Sequence, residues 1–170
     1  MKKQIHYLLV GYSFAGKTTL AKELGKRFGF KRLSIDDVKF EIGYQDVSDD
    51  DVPDEAWKKI FEELDLRITE NLKEGKTILN EYAWITKKWR DRARKIAYDL
   101  GIETKIIFVD TSEEVVRKRW QKNKKRNERF DVSEDVFEEA IKTFEKPSEE
   151  ENVILYKETD DFESWINKNL

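Results

Sequence analysis

The sequence lacks cysteine altogether and contains only two prolines, seven glycines and one histidine, His6. Without cysteine there is neither a disulfide framework nor thiol chemistry. No apolar run approaches the roughly 20 residues that span a bilayer, so we expect a cytoplasmic protein without a membrane partner. His6 stands in a predicted strand away from the predicted active edge, and we expect it to have a structural role.

Neither sign of charge predominates in the sequence. Charged residues make up 41% of the 170-residue chain, yet the net charge is only −3, because both signs are interspersed. This balance does not argue for binding to nucleic acid or to a membrane. The length favours one domain over residues 1–170, and we find no repeat, low-complexity tract or linker that would divide it.

A phosphate-binding motif stands near the beginning of the chain. Residues 11–18 read Gly-Tyr-Ser-Phe-Ala-Gly-Lys-Thr, which fills every position of G-x-x-x-x-G-K-[ST], the Walker A pattern or P-loop. Gly11 and Gly16 allow a tight turn that brings backbone N–H groups against phosphate oxygens, at the positive end of the following helix. Lys17 should reach the β- and γ-phosphates, and Thr18 should be a Mg²⁺ ligand. The predicted nucleotide-binding residues are Gly11, Tyr12, Ser13, Phe14, Ala15, Gly16, Lys17, Thr18 and Thr19.

Apolar runs alternate with helical patterns along the chain. Strands are predicted at residues 5–10, 31–35, 77–79, 105–110 and 152–156, with amphipathic helices between them. This alternation predicts a three-layer α/β/α P-loop NTPase fold, with a five-stranded parallel sheet, the P-loop strand in the centre and a helical lid at about residues 117–132. A T-x-x-E capping box at Thr111 and Glu114 is predicted to begin the helix after the fourth strand.

Carboxylates follow two of the predicted strands. Asp36 and Asp37 come directly after the second strand, and Asn80 and Glu81 end the third. Ligands of open α/β sheets bind at the carboxyl ends of the strands, so these positions favour a functional role over simple helix capping. Tyr82 and Trp84 could line a pocket, although core packing is the better expectation for both.

Basic residues crowd the stretch at positions 117–129. They are Arg117, Lys118, Arg119, Lys122, Lys124, Lys125, Arg126 and Arg129. A solvated helix surface, a nucleic-acid contact and a phosphate-clamping lid all fit this composition. Because a P-loop is present in the same chain, we favour the lid.

Four segments in order resemble the P-loop kinases of the AAA-domain type, which are related to polynucleotide 5′-hydroxyl kinases and more loosely to zeta toxins. They are residues 11–18, residues 34–39 (Ser-Ile-Asp-Asp-Val-Lys), residues 89–97 (Trp-Arg-Asp-Arg-Ala-Arg-Lys-Ile-Ala), and residues 119–129 together with 132–136 and 144–147. The resemblance extends over residues 5–156.

The resemblance implies roles for individual residues. Asp36 would be the general base that accepts the proton of the acceptor hydroxyl, and Lys39 stands where these kinases usually carry an acceptor-contacting arginine. Arg126 would be the lid arginine, with Arg119 and Arg129 as the next choices. After the third strand the group commonly has an aspartate, where this chain has Asn80-Glu81. Either Glu81 substitutes for it and contacts the acceptor or a metal-bound water, or the position has diverged with the acceptor.

The leading hypothesis is therefore a kinase that transfers the γ-phosphoryl group of ATP, with Mg²⁺, to a hydroxyl of a small-molecule or nucleotide-like acceptor. A polynucleotide 5′-hydroxyl kinase is the first alternative, supported by the basic stretch. A nucleotide-binding switch or partner-binding protein with little turnover is the second. The sequence identifies neither the acceptor nor the oligomeric state.

Overall fold

The computed structural model describes residues 3–82, 84–126 and 132–170. The strands are β1 (Ile5–Val10), β2 (Lys31–Ser34), β3 (Ile78–Glu81), β4 (Glu103–Asp110) and β5 (Val153–Lys157). The helices are α1 (Lys17–Phe28), α2 (Ile35–Glu41), α3 (Asp54–Lys73), α4 (Lys87–Asp99), α5 (Glu113–Arg126), α6 (Glu134–Thr143) and α7 (Phe162–Asn169). A single helical turn, Asp49–Asp51, interrupts the loop between α2 and α3.

The five strands form one parallel sheet in the order β2-β3-β1-β4-β5. The predicted three-layer α/β/α P-loop fold with a central P-loop strand is therefore confirmed. Leu9 of β1 pairs with Glu81 of β3, which in turn pairs with Ser34 of β2. This register brings the carboxyl ends of the three strands to one edge, directly beside the P-loop.

Apolar side chains cover both faces of the sheet. On one face, Leu9 and Ile107 pack with residues of α1, α5, α6 and α7, among them Leu24, Trp120 and Phe137. On the other face, α2, α3 and α4 form the remaining clusters. The alternation of side chains along β1 divides it between the two layers, as expected for a strand that is covered on both sides.

The start of α5 differs from the prediction. Thr111 does not cap the helix, because the helix begins two residues later, at Glu113, and the Thr111 hydroxyl donates instead to the carbonyl oxygen of Ala15 at 2.8 Å. The next residue, Ser112, accepts a hydrogen bond from the Val115 N–H and takes the capping position. The predicted capping box is therefore wrong, and Thr111 instead ties the end of β4 to the P-loop.

None of the helices in the three described ranges combines the length and the apolar character that a membrane span requires.

Candidate functional site

The P-loop makes a tight turn between β1 and α1. Gly11 has a φ of 151°, and a Cβ added there would lie 2.7 Å from the carbonyl oxygen of Val109. Gly16 has a φ of 104° and is the residue that precedes α1. A side chain would be obstructed at the first position and would strain the backbone at the second, so the two glycines give the loop its shape.

Three side chains brace this loop. The Lys17 ammonium donates to the carbonyl oxygens of Gly11 at 2.9 Å and Tyr12 at 2.7 Å. Arg119 of α5 donates to the carbonyl oxygen of Phe14 at 3.1 Å and also forms an ion pair with Glu158. With the Thr111 hydrogen bond, these contacts satisfy the carbonyl oxygens of Gly11, Tyr12, Phe14 and Ala15 and fix the shape of the loop.

A hydroxyl and a carboxylate meet beside the loop. The Thr18 hydroxyl donates to Oε1 of Glu81, and Arg32 donates through Nε to Oε2 of the same carboxylate at 2.5 Å. Arg32 also donates through Nη1 to Asp37 at 2.6 Å. One guanidinium from β2 therefore fixes Glu81 toward Thr18.

A cavity of about 840 Å³ opens over these groups. One wall is the P-loop, and the second is formed by Asp36, the Asp49–Asp50 turn, Glu81 and Tyr82. The third wall is α6, with side chains that include Asp135, Glu138, Glu139 and Lys142. A volume of this size accommodates a nucleotide phosphate tail together with a second small molecule.

Asp36 stands opposite the P-loop across this cavity. Its side chain meets solvent in the cleft, yet the surrounding protein is dense. This desolvation, together with the negative charges of Asp49 and Glu81, raises the pKa of the Asp36 carboxyl, while Lys17 and Lys39 act in the opposite direction. The charges that perturb Asp36 thus include both the P-loop lysine and Glu81.

Lys39 lies behind the wall of the cavity. Its side chain is 1% exposed, and its ammonium donates to the carbonyl oxygen of Val47 and to Oδ1 of Asp49, each at 2.6 Å. The ring of Trp57 lies 5.9 Å from the ammonium, and the Trp57 indole N–H donates to the carbonyl oxygen of Asp49 at 3.2 Å. In this arrangement Lys39 fixes the loop that carries Asp49, and it does not line the cavity.

The α6 wall is attached to the rest of the protein by aromatic side chains. The rings of Trp120 and Phe137 stack with centroids 4.7 Å apart, and Phe137 meets Phe14 of the P-loop edge-on at 6.4 Å. The Trp120 indole N–H donates to the carbonyl oxygen of Val132 at 2.8 Å. These contacts set α6 against α5 and the P-loop.

The family follows from a comparison with known protein families. The sequence profile of the family described as "AAA domain" matches residues 7–147, which include most of β1, the P-loop, Asp36, Glu81 and α6. The chain belongs to the AAA domain family.

Several solved structures share the fold of this chain. Kti12 from Chaetomium thermophilum, in complex with ADP-AlF3, has a TM-score of 0.74 at 15% identity over 95% of this chain and 94% of its own. An APS kinase from Mycobacterium tuberculosis, with AMPPNP and APS, has a TM-score of 0.70 at 15% identity over 98% and 95%. A sugar kinase from Janibacter has a TM-score of 0.67 at 19% identity over 97% and 91%. No curated protein matches the sequence significantly.

The predicted nucleotide-binding residues of this AAA domain divide into two sets. Ser13, Phe14, Gly16, Lys17 and Thr18 line the cavity. The remaining four, Gly11, Tyr12, Ala15 and Thr19, do not line it. Among them, Gly11 shapes the turn, and the Tyr12 ring lies 4.6 Å from Phe144, centroid to centroid.

Only some of the polar residues at the ends of β2 and β3 line the cavity. Glu81 lines the cavity, whereas Asn80 points to the other side of β3, where its amide lies 3.3 Å from Nε2 of buried His6. Similarly, Asp36 lines the cavity, whereas Asp37 accepts a hydrogen bond from Arg32. Tyr82 lines the cavity and Trp84 is buried in the core.

The predicted lid arginines lie in different surroundings. Arg126 ends α5 and lines a shallow surface depression with Lys118, Lys122 and Lys125, away from the main cavity. Arg119 contacts the P-loop from the side. Arg129 lies outside the described residues, as does the rest of the segment 127–131 of the predicted lid.

Sequence reasoning did not find Arg32 or the roles of Thr111 and α6. A lone arginine in a short strand carries no signal of its partners, which come from β3 and α2. Thr111 was identified, but with the wrong partner. The acidic residues of α6 read as an ordinary solvated helix face, since nothing in their spacing indicates that a cavity lies beside them.

Proposed function

We propose that this AAA domain is a kinase that transfers the γ-phosphoryl group of ATP to a hydroxyl of a small molecule. The observation that carries the proposal is the placement of the P-loop, the Thr18–Glu81 pair and Asp36 around one cavity. Relatives of the same fold are described as a sugar kinase and an APS kinase, which agrees with this reaction type.

The oxygen groups beside the P-loop fit a magnesium ion that arrives with the nucleotide. Within the described ranges, no group of three or more acidic, histidine or cysteine side chains could hold a resident metal. Mg²⁺ is commonly held by one or two protein oxygens together with substrate phosphates, which is what Thr18 and Glu81 offer. Thr18 and Glu81 would hold the ion, which would supply positive charge against the negative charge that develops on the transferred phosphoryl group.

Each residue of the site then has a separate role in the phosphoryl transfer. The P-loop N–H groups and the Lys17 ammonium bind the phosphates, and Arg32 keeps Glu81 oriented toward Thr18. Asp36 accepts the hydroxyl proton as the acceptor oxygen bonds to the γ-phosphorus and the bond to the bridging oxygen breaks, which releases ADP. A carboxylate with a raised pKa is the stronger base for this step.

The test compares wild type, Lys17→Ala and Asp36→Asn with the control Asp46→Asn, which removes an exposed carboxylate of the loop between α2 and α3. Phosphoryl transfer from labelled ATP is measured across a panel of hydroxyl compounds, and Mg·ATP affinity is measured by calorimetry.

We expect Lys17→Ala to weaken nucleotide binding. Asp36→Asn should bind ATP normally and lose about 10²- to 10⁴-fold in kcat, the usual contribution of a general base. The Asp46 variant should behave as wild type. Near-normal kcat in Asp36→Asn would contradict the assigned base, and tight ATP binding without transfer to any acceptor would favour a nucleotide-binding switch.

A further inference from the structure

The acceptor side of the cavity is strongly acidic. Among the described residues that line the cavity, the acidic side chains are Asp36, Asp49, Asp50, Glu81, Asp135, Glu138 and Glu139, and the basic ones are Lys17 and Lys142. Lys17 is committed to the nucleotide phosphates in the proposed reaction. An acceptor therefore enters a space where one lysine faces several carboxylates.

The counter-ions of these carboxylates stand mainly behind the walls. Arg32 binds Glu81, Lys39 binds Asp49 and Arg117 binds Glu138, and none of the three basic residues lines the cavity. In the described part of the chain, Asp36, Asp50, Asp135 and Glu139 form no ion pair. Positive charge behind the walls holds the carboxylates in place but leaves acidic oxygens at the surface that the acceptor meets.

Helix stability accounts for only part of the acidic face of α6, because Asp135 lies in the first turn, where the helix dipole favours negative charge. Asp135 and Glu139 are four residues apart and both line the cavity. Glu139 lies beyond that turn and repels Asp135 at this spacing, and a cationic ligand would relieve the repulsion. The undescribed residues 127–131 contain Glu128, Arg129 and Asp131, so by sequence they add no net positive charge.

From this charge distribution we infer that the acceptor is a cationic hydroxyl compound, such as an amino alcohol or amino sugar. The inference rests on the proposed kinase function. An ammonium group would be attracted by the carboxylates that line the cavity. A phosphorylated acceptor or the 5′ end of a nucleic acid would instead bring further negative charge beside Asp36, Asp50 and Asp135.

The experiment compares acceptors that share a frame and differ in charge. Glucosamine, glucose and glucuronate form one such series, and ethanolamine, ethylene glycol and glycolate form another, within a wider panel sorted into cationic, neutral and anionic hydroxyl compounds. Transfer from labelled ATP is measured at saturating Mg·ATP, at low and at high salt. The variants are Asp50→Asn, Glu139→Gln and the control Asp46→Asn.

We expect kcat/KM for cationic acceptors to exceed that for their anionic counterparts at least tenfold, and the preference to decrease with salt because screening weakens the attraction. Asp50→Asn and Glu139→Gln should each raise KM for the cationic acceptors about threefold or more, with kcat and Mg·ATP affinity nearly unchanged. Asp46→Asn should change neither.

Two contrary results are distinguishable. Transfer chiefly to anionic acceptors, or to a nucleic-acid end, would contradict the inference of a cationic acceptor but would agree with the proposed kinase function. Mg·ATP binding without transfer to any member of the panel would overturn the kinase itself, and the inference with it.

Discussion

Substitution of the buried residue Lys39 tests how one wall of the cavity is held in place. Its side chain is 1% exposed, whereas that of its partner Asp49 is 37% exposed. Removing one partner of a fully buried ion pair destabilises a protein by about 3–5 kcal/mol, because the other charge is left without compensation. In Lys39→Met the remaining charge is on Asp49, which water reaches, so we expect a smaller loss of about 2–3 kcal/mol.

The complementary change should cost more. Asp49→Ala removes the carboxylate that pairs with the buried ammonium of Lys39, and we expect a loss of about 3–5 kcal/mol. The double variant should be less destabilised than the sum of the two single variants by about 1–3 kcal/mol, since the residues contact each other directly.

Urea unfolding at neutral pH measures these free energies. The matched control is Lys95→Met, because Lys95 pairs with Asp99 on the surface of α4 with side chains 70% and 53% exposed. Exposed pairs at this spacing contribute only about 0.3–0.5 kcal/mol. A loss in Lys39→Met no greater than in Lys95→Met would refute the reasoning from burial. In turnover assays, Lys39→Met should raise the acceptor KM and leave Mg·ATP affinity near its wild-type value.

Two further predictions concern the response to acid. Burial lowers the pKa of His6 to about 4, so the folded state resists protonation of this side chain. As the pH falls from about 6.5 to 4, the free energy of unfolding should therefore decrease by up to ~3 kcal/mol. Over this window the urea midpoints of wild type and His6→Gln should converge or reverse. Burial alone would raise the pKa of Glu151, but hydrogen bonds from Arg90 and the Ser148 N–H, with the charges of Arg90 and Arg94, lower it to about 2. Its stabilisation should therefore be lost as pH falls from about 4.5 to 2, and Glu151→Gln should flatten that part of the stability profile.

The sequence predicted the elements that depend on local pattern. The P-loop strand, the alternation of strands and helices, and the positions of Asp36 and Glu81 at strand ends follow from apolar periodicity and one specific motif. The third strand was predicted at residues 77–79 but continues to Glu81. Apolar character ends before Asn80, whereas pairing continues because β1 and β2 bond to the backbone on either side, which no pattern in the strand itself reveals.

Contacts between distant segments could not be predicted in the same way. Lys39 lies three residues after Asp36 on a short helix, which is compatible with an acceptor contact. Whether a lysine faces a cavity or lies behind its wall depends on the segment that covers it, here the loop with Val47 and Asp49. The partners of Arg32 are equally remote, since they come from two further elements of the chain.

The positions of the basic residues explain how this site can be both well ordered and acidic. Arg32 and Lys39 each bind a carboxylate of the cavity wall, and neither of the two basic residues lines the cavity. A basic residue inside the cavity would order the same carboxylates but would also occupy the space of the acceptor and neutralise the surface it meets. Placing the positive charges behind the wall separates the two effects, because geometry is fixed by the ion pairs while the charge presented to the acceptor stays negative. The acceptor preference should therefore change with Asp50 and Glu139, whereas the stability of the wall should change with Lys39.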